Sequence, residues 1–189
     1  MNKSALRKIY RQKRTALHAG EREKLQDLCL IRFQQMTIEM PGCLMHYAAF
    51  ADEFDPGILA DYCHFRNPGL VEGLPVVDPE KDEMHCREIN EHTIYTSNKY
   101  GIPEPENGFL LEPGMIDMVI IPLLCFDERG FRVGYGKGYY DRFLVHCRKD
   151  VVKIGCSFFD PVEQISDVGD HDIKLDYCIT PHQIYSFNN

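Results

Sequence analysis

The sequence predicts an α/β fold, a single three-layer α/β/α domain with a mainly parallel, mixed central sheet. Apolar runs of strand length alternate with segments of helical periodicity, as in chains of βαβ units. Several of these runs, such as residues 118–124, are almost continuously apolar, which indicates strands buried on both faces. The 189 residues contain no internal repeat and no composition break, so we predict one domain spanning residues 1–189.

The first two predicted elements are helices. Residues 3–18 carry an apolar stripe at helical spacing. Four cations occupy a neighbouring sector of the same helix: Lys3, Arg7, Arg11 and Arg14. Ala19 and Gly20 interrupt the pattern, and residues 21–39 read as a second helix.

The rest of the chain alternates strands with loops and helices. Asp55 before Pro56 is the expected N-cap of a helix. Stretches rich in glycine and proline mark the loops. In order, we predict a buried strand at 43–50, a helix at 56–66, strands at 74–77 and 84–89, a loop at 100–113, a strand at 118–124, a loop at 127–138, a helix at 139–147, and strands at 151–156 and 177–180.

The charge distribution bounds the possible partners. The net charge is −8, which argues against nucleic-acid binding, because phosphate neutralisation needs clustered cations. The first 20 residues nevertheless hold six cations and no acid. No apolar run has the length of a membrane span, and the N-terminus lacks the apolar core of a secretory signal. We therefore expect a cytoplasmic protein with no nucleic-acid or membrane partner.

The sequence contains eight cysteines, which we expect to be free thiols. No C-x-x-C pair occurs, and most of the cysteines lie inside apolar runs. Such a pattern is typical of buried thiols in a reducing compartment. The eight residues are Cys29, Cys43, Cys63, Cys86, Cys125, Cys147, Cys156 and Cys178.

Three alternating glycines suggest a site for a phosphorylated ligand. Gly134, Gly136 and Gly138 lie between a strand and a helix, and Arg132 and Lys137 add positive charge. Glycine lets the backbone approach a ligand closely, and backbone N–H groups at a helix start bind anions. The spacing matches neither the Walker nor the dinucleotide pattern. A glycine-rich hairpin turn is the alternative interpretation. We call residues 134–138 the glycine loop.

Two carboxylates are candidates for Mg²⁺ bound with such phosphates. Asp141 lies in the first turn of the predicted helix, where a carboxylate is also favoured by the helix dipole alone. Mg²⁺ sites use one or two carboxylates together with phosphate oxygens. Asp172 is a candidate for the second ligand, but spacing does not distinguish it from three neighbouring acids, Asp167, Asp170 and Asp176.

Five motifs along nearly the whole chain resemble the 5-formyltetrahydrofolate cyclo-ligase family. The most specific is residues 132–141, which resemble the family's R-L-G-x-G-x-G-Y-Y-D signature. Residues 3–7 resemble its K-x-x-L-R opening, and Asp52-Glu53 its D/E-E-I segment. Residues 100–105 resemble its G-I-P-x-P segment, and residues 171–176 its H-D-x-x-x-D ending.

The resemblance implies an enzyme of one-carbon metabolism. In that family, MgATP phosphorylates the formyl oxygen of 5-formyltetrahydrofolate, N10 attacks the activated carbon, and 5,10-methenyltetrahydrofolate forms with release of ADP and phosphate. The same resemblance implies a folate substrate with or without a polyglutamate tail. We expect a monomer.

The resemblance also implies the roles of individual residues. Arg132 and Lys137 would be catalytic, and Asp141 and Asp172 would hold Mg²⁺. The implied ATP contacts are Lys3, Ser4, Ala5, Leu6, Arg7, Arg132, Val133, Gly134, Tyr135, Gly136, Lys137, Gly138, Tyr139 and Tyr140. The implied folate contacts are Ala48, Glu53, Tyr135, Gly136, Lys137, Gly138 and Tyr139. Without the surrounding motifs, Lys3 and Arg7 would read as a solvated helix face and Glu53 as a cap or a surface acid.

The chain departs from the family pattern at two places. Val76-Val77-Asp78 stands where the family often has a basic residue, and position 135 is Tyr where other members carry Arg or Phe. Two other functions fit parts of the pattern. A sugar-phosphate isomerase or transferase would use the glycine loop without needing the basic helix, and a non-catalytic folate- or nucleotide-binding protein would lack a metal carboxylate.

Overall fold

The computed structural model describes residues 1–99 and 101–187. Tyr100, which opens the predicted loop and the G-I-P-x-P segment, lies outside the described residues, as do residues 188 and 189. The helices are α1 (Lys3–Ala16), α2 (Ala19–Gln34), α3 (Gly57–Arg66) and α4 (Tyr139–Leu144), with a 3₁₀ turn at Pro113–Met115. The strands are β1 (Cys43–Met45), β2 (Val71–Asp78), β3 (Glu83–Ile89), β4 (Tyr95–Ser97), β5 (Pro103–Pro105), β6 (Leu110–Leu111), β7 (Met118–Ile121), β8 (Cys125–Phe126), β9 (Arg132–Val133), β10 (Val152–Cys156), β11 (Tyr177–Ile179) and β12 (Ile184–Ser186).

The main sheet has eight strands in the order β12-β11-β10-β7-β1-β2-β3-β6. Strands β11, β10, β7, β1 and β2 are mutually parallel, whereas β3 and β12 run antiparallel to their neighbours β2 and β11. The prediction of a mainly parallel, mixed sheet is therefore confirmed. The carboxyl ends of the five parallel strands share one edge, which is where α/β folds build their ligand sites.

Two helical layers cover the sheet, as the alternation of side chains along its strands requires. Leu44, Met118 and Ile120 point to one face and pack with α2 and α3. Met45 and Val119 point to the other face and pack with α4 and the β8–β9 hairpin. Adjacent residues of a strand point to opposite faces, so a strand buried on both faces is apolar throughout. The predicted three-layer arrangement is confirmed.

Helix α1 packs on the β8–β9 hairpin at the carboxyl edge of the sheet. Its Leu6 and Tyr10 are buried with Leu124, Cys125 and Val133. The side chain of Asn2 accepts a hydrogen bond from the backbone N–H of Ala5 and caps the helix. This packing brings the basic N-terminus of the chain beside the segment that leads into the glycine loop.

Several predicted boundaries are wrong. The strand predicted at 43–50 ends at Met45, and the helix predicted at 21–39 ends at Gln34. In both places the chain continues without regular structure. After Met45 the residues His46 and Tyr47 are still buried, and after Gln34 the side chains of Met36 and Ile38 pack against the core, so apolar residues continue past the end of each element. The helix predicted at 139–147 ends at Leu144, so it is only six residues long. Asp55 does accept a hydrogen bond from the Gly57 N–H at 3.0 Å, but the residue that precedes the helix is Pro56.

The cysteine prediction is confirmed. All eight cysteines are free thiols, seven of them buried and Cys147 partly buried. Burial raises the pKa of Cys43 to about 11 and that of Cys29 to about 12, so these thiols stay protonated and unreactive. No helix in the described residues is long and apolar enough to cross a membrane.

Candidate functional site

The candidate site lies at the carboxyl edge of the sheet, where two loops leave neighbouring strands. Residues 46–53 follow β1, and the segment from Pro122 through the glycine loop follows β7. Because β1 and β7 are parallel and adjacent, their outgoing loops meet. This is why Ala48 and Glu53, far from the glycine loop in sequence, share its end of the molecule.

Arg7 joins helix α1 to the glycine loop. Its Nε–H donates to the carbonyl oxygen of Gly134 at 2.9 Å, across 127 residues of sequence. Gly136 lies against the same guanidinium, because a Cβ at this position would be 3.3 Å from Arg7 Cζ. Gly136 has a φ of +97° and Gly138 a φ of +69°, a region that favours glycine. Two of the three alternating glycines are therefore required by the backbone of the loop.

Each of the two predicted metal carboxylates is paired with a cation. Asp141 Oδ1 accepts hydrogen bonds from Arg132 Nη2 at 2.9 Å and from the Ile173 N–H at 3.0 Å. Asp172 is paired with Lys3. Burial acts to raise the pKa of Asp172, but the hydrogen bonds from Lys3 and from a backbone N–H outweigh it, and the pKa is lowered overall. The structure thus brings together both predicted acids and two of the predicted basic residues.

The structure also shows how the three competing acids are used. Asp167 accepts a hydrogen bond from the Lys3 backbone N–H at 2.7 Å, and Asp176 is paired with Lys153 at 2.7 Å at the amino end of β11. Asp170 is exposed. Among residues 1–99 and 101–187, no group of three or more His, Cys, Asp or Glu side chains is placed to hold a metal ion.

Glu53 lies in a network with Tyr135, Arg14 and Asp52. One carboxylate oxygen accepts the hydroxyl proton of Tyr135, and the other accepts the Phe50 N–H at 2.9 Å. Arg14 donates to the Tyr135 hydroxyl at 2.8 Å and to Asp52 at 2.8 Å. Burial acts to lower the pKa of Arg14, but Tyr135 and the two acids raise it overall, so the guanidinium stays charged.

Sequence reasoning missed Arg14 as part of this network. The sequence places Arg14 on the basic sector of the first helix, but no motif distinguishes it from the other cations there. Arg14 follows Arg7 by seven residues, nearly two helical turns, so both side chains lie on one face of the helix. This spacing could have indicated that Arg14 also faces the site. The tyrosine at position 135 read as a departure from the family, whereas its hydroxyl is what contacts Glu53.

Two of the predicted ATP contacts have side chains that pack in the protein interior. The side chains of Leu6 and Val133 are buried in the apolar cluster under helix α1. In this structure only their backbone groups could contact a ligand. Ser4 and Lys137 are exposed, while Ala5 and Ala48 are partly buried. The Tyr139 ring lies under the Arg142 guanidinium, 5.1 Å from Cζ to the ring centroid.

The Tyr140 hydroxyl is buried, and within the described residues it has no hydrogen-bond partner. Burial raises its pKa strongly, and the charge of Glu53 adds to the effect. An unpaired buried hydroxyl is unfavourable, so a polar ligand atom reaching it would gain a hydrogen bond at little desolvation cost.

Asp127 is a buried residue that supports the site through hydrogen bonds to the backbone around it. Sequence reasoning did not identify it. Its side chain is fully buried and accepts backbone N–H groups of Arg129, Phe131 and Ile165 at 3.0–3.1 Å. It is also paired with the Arg129 guanidinium at 2.8 Å. These contacts tie the β8–β9 hairpin to the segment around Ile165 and fix the start of the glycine loop.

The sequence profile of the 5-formyltetrahydrofolate cyclo-ligase family matches residues 1–181. A 5-formyltetrahydrofolate cyclo-ligase from Mycoplasma pneumoniae is 28% identical over 180 residues, covering 95% of this chain and 98% of the relative.

Two solved structures resemble the fold. An Aquifex aeolicus 5,10-methenyltetrahydrofolate synthetase matches 100% of this chain and 94% of its own length, with a TM-score of 0.83 and 26% identity. A Mycoplasma pneumoniae 5,10-methenyltetrahydrofolate synthetase matches 96% and 99%, with a TM-score of 0.72 and 24% identity, and supports the fold alone.

The fold and the comparisons define an α/β enzyme. The chain belongs to the 5-formyltetrahydrofolate cyclo-ligase family. The family resemblance drawn from the sequence motifs is therefore confirmed, as is the expectation of a ligase. The roles of individual residues stay predictions.

Proposed function

We propose that the protein cyclises 5-formyltetrahydrofolate to 5,10-methenyltetrahydrofolate, with ATP as a co-substrate and release of ADP and phosphate. The observation that carries the proposal is the meeting of three separate segments at one edge of the sheet. Helix α1 reaches the glycine loop through Arg7, and the glycine loop reaches Glu53 through Tyr135. A reaction that joins ATP to a folate needs such neighbouring binding regions.

The distribution of charge supports a triphosphate beside Arg7 and Lys137. Arg132, Lys3 and Arg14 each pair with a carboxylate. Within the described part of the chain, Arg7 and Lys137 form no such ion pair, so their charge is available to an anion. Arg7 lies against Gly136, whose missing Cβ leaves room for the guanidinium, and Lys137 is the next residue of the glycine loop. Cations and backbone groups of this kind are what phosphoryl transfer requires.

The residues present fit a magnesium ion that also contacts phosphate. Mg²⁺ keeps few protein ligands, commonly one or two carboxylates, and takes its other oxygens from phosphate and water. Asp141 and Asp172 would be those ligands, and they are gathered around Arg132 and Lys3. When bound, Mg²⁺ would offset the negative charge of the phosphates. Freed from its acid, each cation could then contact the nucleotide.

Glu53 would bind the folate through the N–H groups of its pterin ring. A carboxylate accepts two parallel N–H bonds, which would orient the ring as well as hold it. The Tyr140 hydroxyl, whose pKa is raised in part by Glu53, is a second polar group in reach of the same region. Tyr139, in the first turn of α4, would stack against the pterin ring.

The chemistry needs positioning and charge stabilisation more than a protein acid or base. An amide oxygen leaves poorly until it is phosphorylated, and the substrate supplies its own nucleophile, N10. Lys137 would hold the transferred phosphoryl group, and Arg132 would stabilise the charge that develops on it. Arg7 would keep the glycine loop against helix α1 during transfer.

We also propose the location, the domain organisation, the oligomeric state and the substrate range of the protein. We place the protein in the cytoplasm because all eight of its thiols are free. We propose that residues 1–189 form one domain, that the enzyme acts as a monomer, and that it accepts folates with or without a polyglutamate tail.

The test is an assay of purified protein with 5-formyltetrahydrofolate and MgATP. The methenyl product is followed by its near-UV absorbance and ADP release is measured in parallel. Arg7→Ala should lower kcat/KM by about tenfold to a hundredfold, because a charged contact to phosphate contributes about 1.5–3 kcal/mol. Lys8→Ala is the matched control, since Lys8 is the next residue on the same helix and is exposed.

The outcomes separate the possible functions. Product and ADP in equal amounts support the ligase. Folate or nucleotide binding without product would indicate a binding protein. Neither binding nor product would overturn the proposal and leave a sugar-phosphate enzyme to be tested.

A further inference from the structure

Glu53 is enclosed by protein groups. Its side chain is only 9% exposed. One oxygen accepts the Phe50 N–H, the other accepts the Tyr135 hydroxyl proton, and Arg14 Nη1 lies 3.9 Å from that second oxygen. A ligand that binds this carboxylate must therefore displace one of these groups.

Arg14 is too firmly held to be the group that moves. It is buried, its Nε donates to Asp52 at 2.8 Å, and Asp52 also accepts the hydroxyl proton of Thr15 at 2.8 Å. One guanidinium thus faces two carboxylates, Asp52 and Glu53. Arg14 is the cation that pairs with both acids, and the neutral Tyr135 hydroxyl supplies a further donor to Glu53.

Tyr135 is the more exposed of the two side chains that contact Glu53. It is 39% exposed and sits between Gly134 and Gly136 in the glycine loop. Its ring rests beside the Arg11 and Arg14 guanidinium groups, each 5.7 Å from the ring centroid, instead of inside an apolar core. Burial, followed by the charge of Glu53, raises the pKa of Tyr135, so the hydroxyl keeps its proton.

We propose that Tyr135 is a latch on Glu53, which a substrate with N–H donors must displace before it can bind that carboxylate. This inference rests on the proposed function, because it takes Glu53 as the folate-binding group. The protein then has two states: a closed one, as in this structure, in which Tyr135 contacts Glu53, and an open one, in which it does not. The apparent affinity for the folate is the affinity of the open state multiplied by the fraction of protein that is open.

The latch has a consequence for the order of binding. Release of Tyr135 frees the middle of the glycine loop, the same segment that would receive the ATP phosphates. A folate in place would therefore leave the loop free to close over the nucleotide. A ligand can shift such an equilibrium only by its differential affinity for the two states, and here the differential contact is the Glu53 carboxylate.

The test compares Tyr135→Phe with the unaltered protein. The substitution removes the hydroxyl and keeps the ring. Binding of 5-formyltetrahydrofolate is measured by titration calorimetry without ATP or Mg²⁺. We expect about tenfold tighter binding, equivalent to about 1.4 kcal/mol. Tyr62→Phe is the matched control, because the Tyr62 hydroxyl also contacts an arginine, Arg66, at 2.7 Å but on helix α3. It should leave the affinity unchanged.

A spectroscopic measurement follows the latch directly. The protein is labelled with 3-fluorotyrosine, and the Tyr135 ¹⁹F resonance is assigned by its loss in Tyr135→Phe. Saturating 5-formyltetrahydrofolate should shift this resonance. The Glu53→Gln substitution weakens the contact between the Tyr135 hydroxyl and residue 53. In the labelled Glu53→Gln variant, the same concentration of folate should therefore shift the Tyr135 resonance by less than half as much.

Failure of the latch and failure of the proposed function are distinguishable. If the unaltered protein binds and converts the folate, but Tyr135→Phe binds it equally or more weakly, the latch is refuted and the function stands. If the unaltered protein neither binds nor converts the folate, both are refuted. Tighter binding by Tyr135→Phe together with the ¹⁹F shift supports the latch.

Discussion

Asp141 is assigned two roles that can be measured separately. In the structure it is the partner of Arg132, and in the proposed function it is a ligand of Mg²⁺. Replacing it by Asn and by Ala removes these roles to different degrees. Asn keeps an oxygen that can accept from Arg132 and from the Ile173 N–H, whereas Ala removes the acceptor altogether.

The structure sets the expected magnitudes for stability. The Arg132 side chain is 6% exposed and that of Asp141 is 24% exposed. Breaking a buried pair by removing one partner costs about 3–5 kcal/mol, and the partial exposure of Asp141 places Asp141→Ala at the lower end, about 3 kcal/mol. Asp141→Asn exchanges a charged hydrogen bond for a neutral one, a loss of about 1 kcal/mol.

Stability is measured by urea unfolding, followed by far-UV circular dichroism because the chain has no tryptophan. The samples contain neither Mg²⁺ nor nucleotide, so that only the pairing with Arg132 is tested. A loss below 1 kcal/mol for Asp141→Ala would refute the reasoning about Arg132. Asp170→Asn is the control, since it removes one negative charge from an exposed position close in sequence to Asp172.

The metal role is measured on the folded Asn variant. We expect the Mg²⁺ concentration for half-maximal ADP release to rise about tenfold in Asp141→Asn and to stay unchanged in Asp170→Asn. Loss of one charged ligand contact of about 1.4 kcal/mol corresponds to that factor. A Mg²⁺ titration of Asp141→Asn that overlays that of the unaltered protein would remove Asp141 from the metal site and leave it a partner of Arg132.

Three further predictions concern the residues that support the site. Asp127→Ala should lower the free energy of unfolding by about 3–5 kcal/mol in urea, because it removes the acceptor of three backbone N–H groups and the ion-pair partner of Arg129. Ala at the exposed neighbour Glu128 should change the free energy of unfolding by less than about 0.5 kcal/mol. Gly136→Ala should destabilise by about 1–2 kcal/mol and weaken ATP binding in calorimetry, since alanine is strained at a φ of +97°; unaltered stability and affinity would contradict this. The stabilisation from the Lys3–Asp172 pair should be fully present above pH 3.8, the ordinary pKa of the Asp carboxyl group. It should be lost as pH falls through the lowered pKa of Asp172 in the folded state. Asp172→Asn should abolish this contribution to the pH dependence of the free energy of unfolding.

Many elements could be located from the sequence because they carry an apolar stripe of helical period, a continuous apolar run or a glycine that marks their start. Helix α1 begins at Lys3, β7 at Met118 and α4 at Tyr139, each as predicted. The elements that were missed are too short for a period to show. Strands β4, β8, β9 and β12 have two or three residues each, and their pairing depends on partners elsewhere in the chain.

The candidate site could be predicted in its parts but not in its connections. Residue types and motifs pointed to Lys3, Arg7, Glu53 and the glycine loop. Tyr135 and Glu53 are 82 residues apart, and no local pattern encodes that their side chains meet. The contact arises only because β1 and β7 are neighbours in the sheet and send their loops to one edge.

Under the proposed function an acidic protein receives two anionic ligands, and the ion pairs offer a physical reason why it can. With a net charge of −8, long-range attraction of phosphate is weak, so local charges must hold the ligands. Lys3 and Arg132 are each neutralised by an acid, and removing that acid would leave a cation beside the glycine loop.

Under the proposed function, Mg²⁺ would bind the two acids, Asp141 and Asp172, while the triphosphate would bind the two cations, Lys3 and Arg132. Mg²⁺ alone would leave the two cations without a partner, and ATP alone would leave the two carboxylates without one. It follows that ATP and Mg²⁺ should bind this site cooperatively, and that ATP titrated without Mg²⁺ should bind at least tenfold more weakly. Equal affinity with and without Mg²⁺ would mean that the pairs stay closed when the nucleotide binds.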